Sequence, residues 1–166
     1  MKSQKIICFG EILWDLFPDG KKLGGAPFNV AYSLKSLGAE VEYISRVGQD
    51  SLADEILIEV ASKGISTDSI QIDPIHPTGK VEVSLDANGV AAYRIETDVA
   101  WDFIESNEKL LKLVRHSKAF IFGSLVARGA SFDALKTFFE LASFNVFDLN
   151  LRPCLLYTSP SPRDRG

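Results

Sequence analysis

The chain has 166 residues, 46% of them hydrophobic and 24% charged, which is sufficient for one domain with a buried core. A net charge of −4 without a basic stripe argues against non-specific nucleic-acid binding. Two widely separated cysteines and two isolated histidines indicate neither a disulfide framework nor a zinc site. The first apolar run is too short for a signal peptide or a membrane span, so the sequence predicts a cytoplasmic protein without membrane contact.

Strands and helices alternate in the first part of the chain. Ile6–Phe9 is a short apolar run typical of a buried central strand. Pro27 suits the first turn of a helix and Gly38 its end, while Ser51 is predicted to cap a second helix. The predicted elements are strands at residues 6–9, 41–47 and 69–72, with helices at 27–37 and 51–63. This order predicts a parallel α/β sheet.

The pattern changes after Lys80. Apolar and polar residues alternate over 81–85, a second, mainly apolar run extends over 90–95, and Asn88-Gly89 stands between the two runs. An Asn-Gly pair in this setting is the strongest short-range sign of a β-hairpin, so a hairpin is predicted to project from the α/β body. Further predicted elements are helices at 107–115 and from Ser131, with strands at 119–122 and 145–149.

The turn Gly24-Gly25-Ala26-Pro27-Phe28-Asn29 is the first candidate ligand site. Its two glycines allow the backbone to approach a ligand closely, and they lie just before a helix N-terminus with free N–H groups. Asn29 adds a side chain that both donates and accepts hydrogen bonds, which suits a polyhydroxylated ligand. An ordinary strand-to-helix loop explains the hexapeptide equally well.

Asp15 is the second candidate, in the stretch Gly10-Glu11-Ile12-Leu13-Trp14-Asp15 that follows the first strand. Ligands of open α/β sheets bind beyond the carboxyl ends of the strands. One carboxylate placed there can accept hydrogen bonds from two neighbouring hydroxyl groups. The alternative is a solvated loop aspartate, which is the commoner fate of a single Asp. Glu11 is interpreted as a structural residue or as a support for the site.

The spacing beyond Asn29 favours the ligand-site interpretation. Gly38 and Gly48 follow Asn29 at fixed offsets, and the whole array resembles the first family pattern of the ribokinase-like (PfkB) sugar kinases. The resemblance covers residues 4–153, and residues 93–102 look most like bacterial fructokinases. It implies a ribokinase-like three-layer α/β/α parallel sheet, incomplete in this chain, with a projecting β-hairpin lid.

The resemblance also implies an activity and a set of binding residues. Such kinases use Mg²⁺ and transfer the γ-phosphoryl group of ATP to a sugar hydroxyl, and fructose is the favoured sugar here. Asp15 matches the family aspartate that holds sugar hydroxyls. Gly24, Gly25 and Asn29 match the turn that packs against the sugar. No metal ligand is identified among the residues of this sequence.

The implied domain organisation has a body, a lid and a tail. Two segments, at about residues 12–20 and 78–98, match the lid that covers the sugar. Lids of this family can exchange between two copies, so a homodimer through the lid is one possible assembly. Residues 1–153 are interpreted as the N-terminal part of the kinase domain. Residues 154–166 resemble the translation of a sequencing adaptor and are predicted to be a non-native, disordered tail.

Five further residues are weaker candidates for contacts with substrate or phosphate. Asp148, Asn150 and Arg152 form an Asp-x-Asn-x-Arg group at the end of the last predicted strand. Arg152 could neutralise a phosphate or form a strand-end salt bridge. Arg94 is either a substrate contact or a charge on the lid surface. Trp101 could stack near the sugar or pack the base of the lid.

The catalytic machinery of the family is missing from this sequence. The family base lies in a Gly-Ala-Gly-Asp motif that opens a helix, and no Gly-x-Gly-Asp occurs in the chain. The chain is therefore predicted to hold the sugar-binding half of a kinase, without the base or the ATP site, and to be inactive alone. The open alternatives are a kinase for ribose, 2-keto-3-deoxygluconate or a nucleoside, and a non-catalytic sugar-binding fragment. A Rossmann dehydrogenase is excluded because Gly-x-Gly-x-x-Gly is absent.

Overall fold

The computed structural model describes residues 5–85 and 91–149. In these ranges the elements in chain order are β1 (Ile6–Phe9), β2 (Leu13–Phe17), β3 (Gly20–Gly24), α1 (Ala26–Ser36), β4 (Val41–Gly48), α2 (Ser51–Ser62), β5 (Ile70–Asp73), β6 (Lys80–Leu85), β7 (Ala91–Ile95), a 3-10 turn (Ala100–Phe103), α3 (Glu108–Arg115), β8 (Ala119–Gly123), α4 (Ser131–Leu141) and β9 (Asn145–Asp148). Every predicted strand and helix of the body is present, and each predicted end is shifted by a single residue at most. No helix among the described residues is long and apolar enough to cross a membrane.

The main sheet contains five strands in the order β5-β4-β1-β8-β9, and all of its pairs are parallel. Each connection between its sequential strands contains a helix, as parallel pairing requires. The central strand β1 pairs with β4 through Ile6↔Val41 and with β8 through Ile6↔Ala119. The carboxyl end of β1 therefore opens between two neighbours, which is where open α/β sheets bind ligands.

Side chains of β1 alternate between the two faces of the main sheet. Phe9 packs on the side covered by α3 and α4, where its ring centre lies 5.5 Å from that of Phe138. Cys8 is buried on the opposite side, together with Phe28 of α1 and Ile56 of α2. Because helices cover both faces, the body is a three-layer α/β/α sandwich.

A second sheet, here called the small sheet, has the strand order β3-β2-β6-β7. Strands β6 and β7 pair antiparallel from Val81↔Ile95 to Leu85↔Ala91, which confirms the predicted hairpin. The predicted Asn88-Gly89 turn lies outside the described residues. Strand β2 pairs with β6 in parallel and with β3 antiparallel. Alternation does not predict β3, because its sequence Gly-Lys-Lys-Leu-Gly contains a single apolar side chain.

The prediction that Ser51 caps helix α2 is wrong. The cap is Asp50, whose Oδ1 accepts the amide hydrogen of Ala53 at 2.9 Å. The same carboxylate accepts the amide hydrogen and the hydroxyl of Thr78, at 2.8 and 2.7 Å. Burial opposes this arrangement, but these hydrogen bonds lower the pKa of Asp50. A carboxylate can satisfy several donors at once and suits the positive helix N-terminus, so Asp50 replaces Ser51 as the cap.

Candidate functional site

A cavity of about 140 Å³ lies at the carboxyl end of β1, between the small sheet and the N-terminus of α1. Its lining combines carboxyl, amide and apolar groups, from Glu11, Leu13, Asp15, Phe17, Gly25, Ala26, Asn29, Val81, Ile95 and Leu125. Three of the residues singled out by sequence, Asp15, Gly25 and Asn29, meet in this cavity. They come from β2, from the β3–α1 junction and from the first turn of α1.

Gly24 and Gly25 form the junction between β3 and α1. Gly25 has a φ of 115°, which disfavours other residues, and a Cβ there would collide with the carbonyl oxygen of Glu11. A Cβ at Gly24 would collide with the carboxyl group of Asp15. Both positions need glycine because the turn after β1 and the Asp15 side chain pack directly on this backbone.

Asp15 lies in the middle of β2, opposite Lys22 of β3, and is half-buried. It is therefore a strand residue and not a solvated loop residue. Asn29 is exposed on the first turn of α1, and it lines the same cavity as Asp15. A carboxyl group and an amide that share one small cavity can together hold a ligand with several hydroxyl groups.

Glu11 also lines the cavity, although the sequence pattern assigns it no contact with a ligand. It is 4% exposed, and its Oε1 accepts the amide hydrogen of Ala26 at 3.0 Å. Its Oε2 has no hydrogen-bond partner within the described residues. Burial raises the pKa of Glu11 to about 7, against the opposing effect of the Ala26 amide. The sequence signal that could have identified it is its place directly after Gly10, at the carboxyl end of β1.

Trp101 does not line this cavity. It is 1% exposed, and it lies so close to Gly79 that a Cβ at Gly79 would collide with its indole. The guanidinium carbon of Arg128 lies 4.1 Å from the centre of its ring. Trp101 therefore lies at the base of the small sheet, where Gly79 leads into β6.

Arg128 joins the loop after β8 to the base of the small sheet. Its Nε donates to Oδ1 of Asp102 at 2.7 Å, and its Nη2 donates to the carbonyl oxygen of Glu96 at 2.8 Å. Asp102 is 4% exposed, and Glu96 directly follows β7. Sequence reasoning missed Arg128 because its partners lie 26 and 32 positions away and form no local motif with it.

The remaining candidates lie apart from the cavity or outside the described residues. Asp148 is half-buried at the end of β9, opposite Gly123 of β8, and its charge contributes to the raised pKa of Glu11. The backbone of Arg94 pairs with Glu82 in the small sheet, but its side chain is not described. Asn150 and Arg152 also lie outside the described ranges, so the Asp-x-Asn-x-Arg group stays a prediction.

The part of the chain that the structure describes contains no group of three or more His, Cys, Asp and Glu side chains placed to hold a metal ion.

Residues 4–161 match the family model of the pfkB family carbohydrate kinases. The chain belongs to this family. The match confirms the resemblance suggested by the spacing of Asn29, Gly38 and Gly48. It extends over both the α/β body and the small sheet.

Named relatives of this pfkB-family chain include fructokinases and other sugar kinases. A fructokinase from Solanum tuberosum is 28% identical over 170 residues, covering 92% of this chain and 53% of that protein. The crystal structure of an uncharacterized sugar kinase from Pyrococcus horikoshii matches with a TM-score of 0.81 at 28% identity, covering 92% of this chain and 55% of that one. A Xylella fastidiosa fructokinase with bound ATP matches with a TM-score of 0.77 at 25% identity, covering 97% and 53%.

These structural matches confirm the predicted ribokinase-like fold of the pfkB-family chain. They include both the parallel main sheet and its covering helices. The chain spans about half the length of the curated relatives it matches.

Proposed function

We propose that this chain provides the sugar site of an ATP-dependent, fructokinase-like sugar kinase. The observation that supports this function is the cavity shared by Asp15, Gly25 and Asn29 at the carboxyl end of β1. Sugar hydroxyls both donate and accept hydrogen bonds, so a carboxyl group and an amide from different elements can hold and orient one sugar ring. The glycine junction lets the backbone pack against that ring.

The charge of the cavity supports a neutral sugar. Its lining within the described residues includes Glu11 and Asp15 and contains no lysine or arginine. A sugar acid such as 2-keto-3-deoxygluconate would bring a carboxylate next to these two acids, without a cation among the described lining residues to pair with it. Relatives named fructokinase support fructose as the favoured neutral sugar.

The residues that the structure describes would act before phosphoryl transfer, by orienting the sugar and excluding water. In the whole kinase, ATP would supply the γ-phosphoryl group and Mg²⁺ would balance its charge. Asp15 and Asn29 would orient the sugar, and the small sheet would act as a lid that excludes water and suppresses ATP hydrolysis. We place the base and the ATP site outside this chain, because its sequence has no Gly-x-Gly-Asp. The chain alone is therefore expected to bind fructose without phosphorylating it.

Calorimetric titration of the purified chain with fructose, ribose, 2-keto-3-deoxygluconate and a nucleoside tests this function. We expect fructose to bind, and Asp15→Asn to weaken its binding by about tenfold or more, because a hydrogen bond to a charged group is lost. Asp19→Asn is the matched control, since Asp19 is exposed in the β2–β3 turn, and it should leave the affinity unchanged. Equal fructose binding by Asp15→Asn and by the unmodified chain would overturn the proposed site.

A further inference from the structure

Glu11 is held in place by two separate contacts. The hydroxyl of Tyr43, itself 0% exposed, donates to the backbone carbonyl of Glu11 at 2.6 Å. The amide of Ala26 donates to Oε1 at 3.0 Å. The side chain is therefore ordered from both ends, and its second oxygen, Oε2, has a defined place at the N-terminus of α1.

The second oxygen of Glu11 is the unusual feature of the cavity. Oε2 is buried and has no hydrogen-bond partner among the described residues. Buried polar atoms in folded proteins are almost always paired, so an unpaired carboxyl oxygen on a residue that lines a ligand-sized cavity points to a missing partner. Gly123 lies next to Oε2, since a Cβ at that position would be at an ordinary contact distance of 3.8 Å from it.

We propose that Oε2 of Glu11 hydrogen-bonds a hydroxyl group of the bound sugar, and that Glu11 binds the sugar in its acid form. This inference rests on the proposed sugar-binding function and adds a second carboxyl contact to that of Asp15. A neutral carboxyl group donates one hydrogen bond and accepts others, so it can complement a sugar hydroxyl while Oε1 keeps its bond to Ala26.

The groups around Glu11 favour its acid form. Burial raises its pKa to about 7; the backbone amides of Glu11 and Ala26 and the charge of Arg128 oppose this rise, and the charge of Asp148 adds to it. Asp15 lies in the same cavity, and Tyr43 contacts the Glu11 backbone. Ionisation would place a buried negative charge near Asp15 and Asp148, whereas the protonated group can donate to the sugar.

The sign of the pH dependence follows from this assignment. If the acid form binds the sugar, the competent fraction falls as the pH rises through about 7. The apparent Kd for fructose should therefore increase about tenfold between pH 6 and pH 8. Below pH 6 the affinity should level off, because nearly all of Glu11 is then protonated.

The test is the fructose affinity of the purified chain between pH 6 and pH 8, measured by titration calorimetry for the unmodified chain and three variants. Glu11→Gln keeps both an acceptor for Ala26 and a donor for the sugar, so it should bind with an affinity close to the acid limit at every pH. Glu11→Met should bind about tenfold more weakly or worse throughout. Glu42→Gln is the matched control, because Glu42 is also 4% exposed but is paired with Lys5 and Ser69. It should keep the unmodified pH response.

Each outcome decides the inference. Unchanged affinity in Glu11→Met, or an unmodified pH response in Glu11→Gln, would overturn the Glu11 contact while leaving the Asp15 site intact. If Glu11→Met does not fold, the pH profile of Glu11→Gln is sufficient, since a purely structural role would not remove the pH dependence of sugar affinity. A folded, unmodified chain that binds none of the sugars at any pH would overturn the proposed function and this inference together.

Discussion

The α/β body and the small sheet are stabilised in different ways. Helices cover the body on both faces, and side chains as large as Phe120 and Phe138 are 0% exposed there. The small sheet has a cluster of its own in which Leu13 and Val81 are buried and their apolar neighbours are only partly so. Since hydrophobic stabilisation scales with buried apolar area, the body carries most of it among the side chains that the structure describes.

The Leu13–Val81 cluster of the small sheet also forms one wall of the proposed sugar cavity. Leu13 and Val81 line that cavity, together with Asp15 from the same sheet. A bound sugar would therefore add contacts to a region in which few of the described apolar side chains are fully buried. Ligand binding stabilises the state that binds, so the small sheet should gain more protection from fructose than the main sheet does.

The largest effect is expected from Phe120→Ala in the body. The ring centre of Phe120 lies 5.7 Å from that of Phe9 and 5.9 Å from that of Phe138, with no exposure to solvent. The substitution should lower the free energy of unfolding by about 3–5 kcal/mol, because it leaves a cavity in the main core. Val81→Ala in the small sheet should lower it by about 1–2 kcal/mol, which corresponds to two buried carbons.

Urea denaturation followed by circular dichroism measures both free energies of unfolding. A loss in Val81→Ala as large as that in Phe120→Ala would show that the two regions unfold as one unit with equally dense packing. Such a result would contradict the difference in packing between the α/β body and the small sheet.

A smaller effect is expected from Gly25→Ala at the junction of the two regions. The left-handed φ of 115° alone costs a non-glycine residue about 1–2 kcal/mol, and the collision with the Glu11 carbonyl adds to it. We expect an overall loss of at least about 2 kcal/mol in the free energy of unfolding, and weaker fructose binding, since the turn lines the cavity.

The matched control for Gly25→Ala is Gly38→Ala at the other end of α1. Gly38 has a φ of 86°, but a Cβ there meets no heavy atom within 4 Å. This substitution should cost about 1 kcal/mol through backbone strain alone and should leave fructose affinity unchanged. Equal losses in urea denaturation for the two variants would mean that the junction relaxes around the added methyl group.

A smaller effect than that of Gly25→Ala is expected from Arg128→Ala, which removes the link between the body and the base of the small sheet. Asp102 and the Glu96 carbonyl lose a charged donor, and the free energy of unfolding should fall by about 1.5 kcal/mol. Hydrogen exchange measured by mass spectrometry should become faster in β7 and residues 96–100 and stay unchanged in β8.

The control is Arg115→Ala, at the exposed end of α3, which should change the free energy of unfolding by less than about 0.5 kcal/mol. Faster exchange throughout the main sheet in Arg128→Ala would exclude a local role for this link.

Local sequence was sufficient for the elements of the body and for the β6–β7 hairpin. Helix α1 follows from Pro27 and Gly38, and the hairpin follows from the alternation over 81–85 and the Asn88-Gly89 pair between two runs. The cap of α2 was misassigned, because Asp50 and Ser51 are adjacent and both are good caps. The contact of Asp50 with Thr78 decides between them, and it joins segments 28 residues apart.

The sequence by itself determined the family, through the spacing of Asn29 from Gly38 and Gly48, and the parallel α/β architecture, through the alternation of strands and helices. Only the tertiary structure decided which side chains share the cavity, since β2 reaches β6 through pairs such as Trp14↔Lys80. It also decided that Glu11 is buried, with one carboxyl oxygen that has no hydrogen-bond partner among residues 5–85 and 91–149. Local periodicity reports which face of an element is apolar. The burial and hydrogen bonding that set the chemistry of a carboxyl group depend on contacts between distant segments, which no local pattern contains.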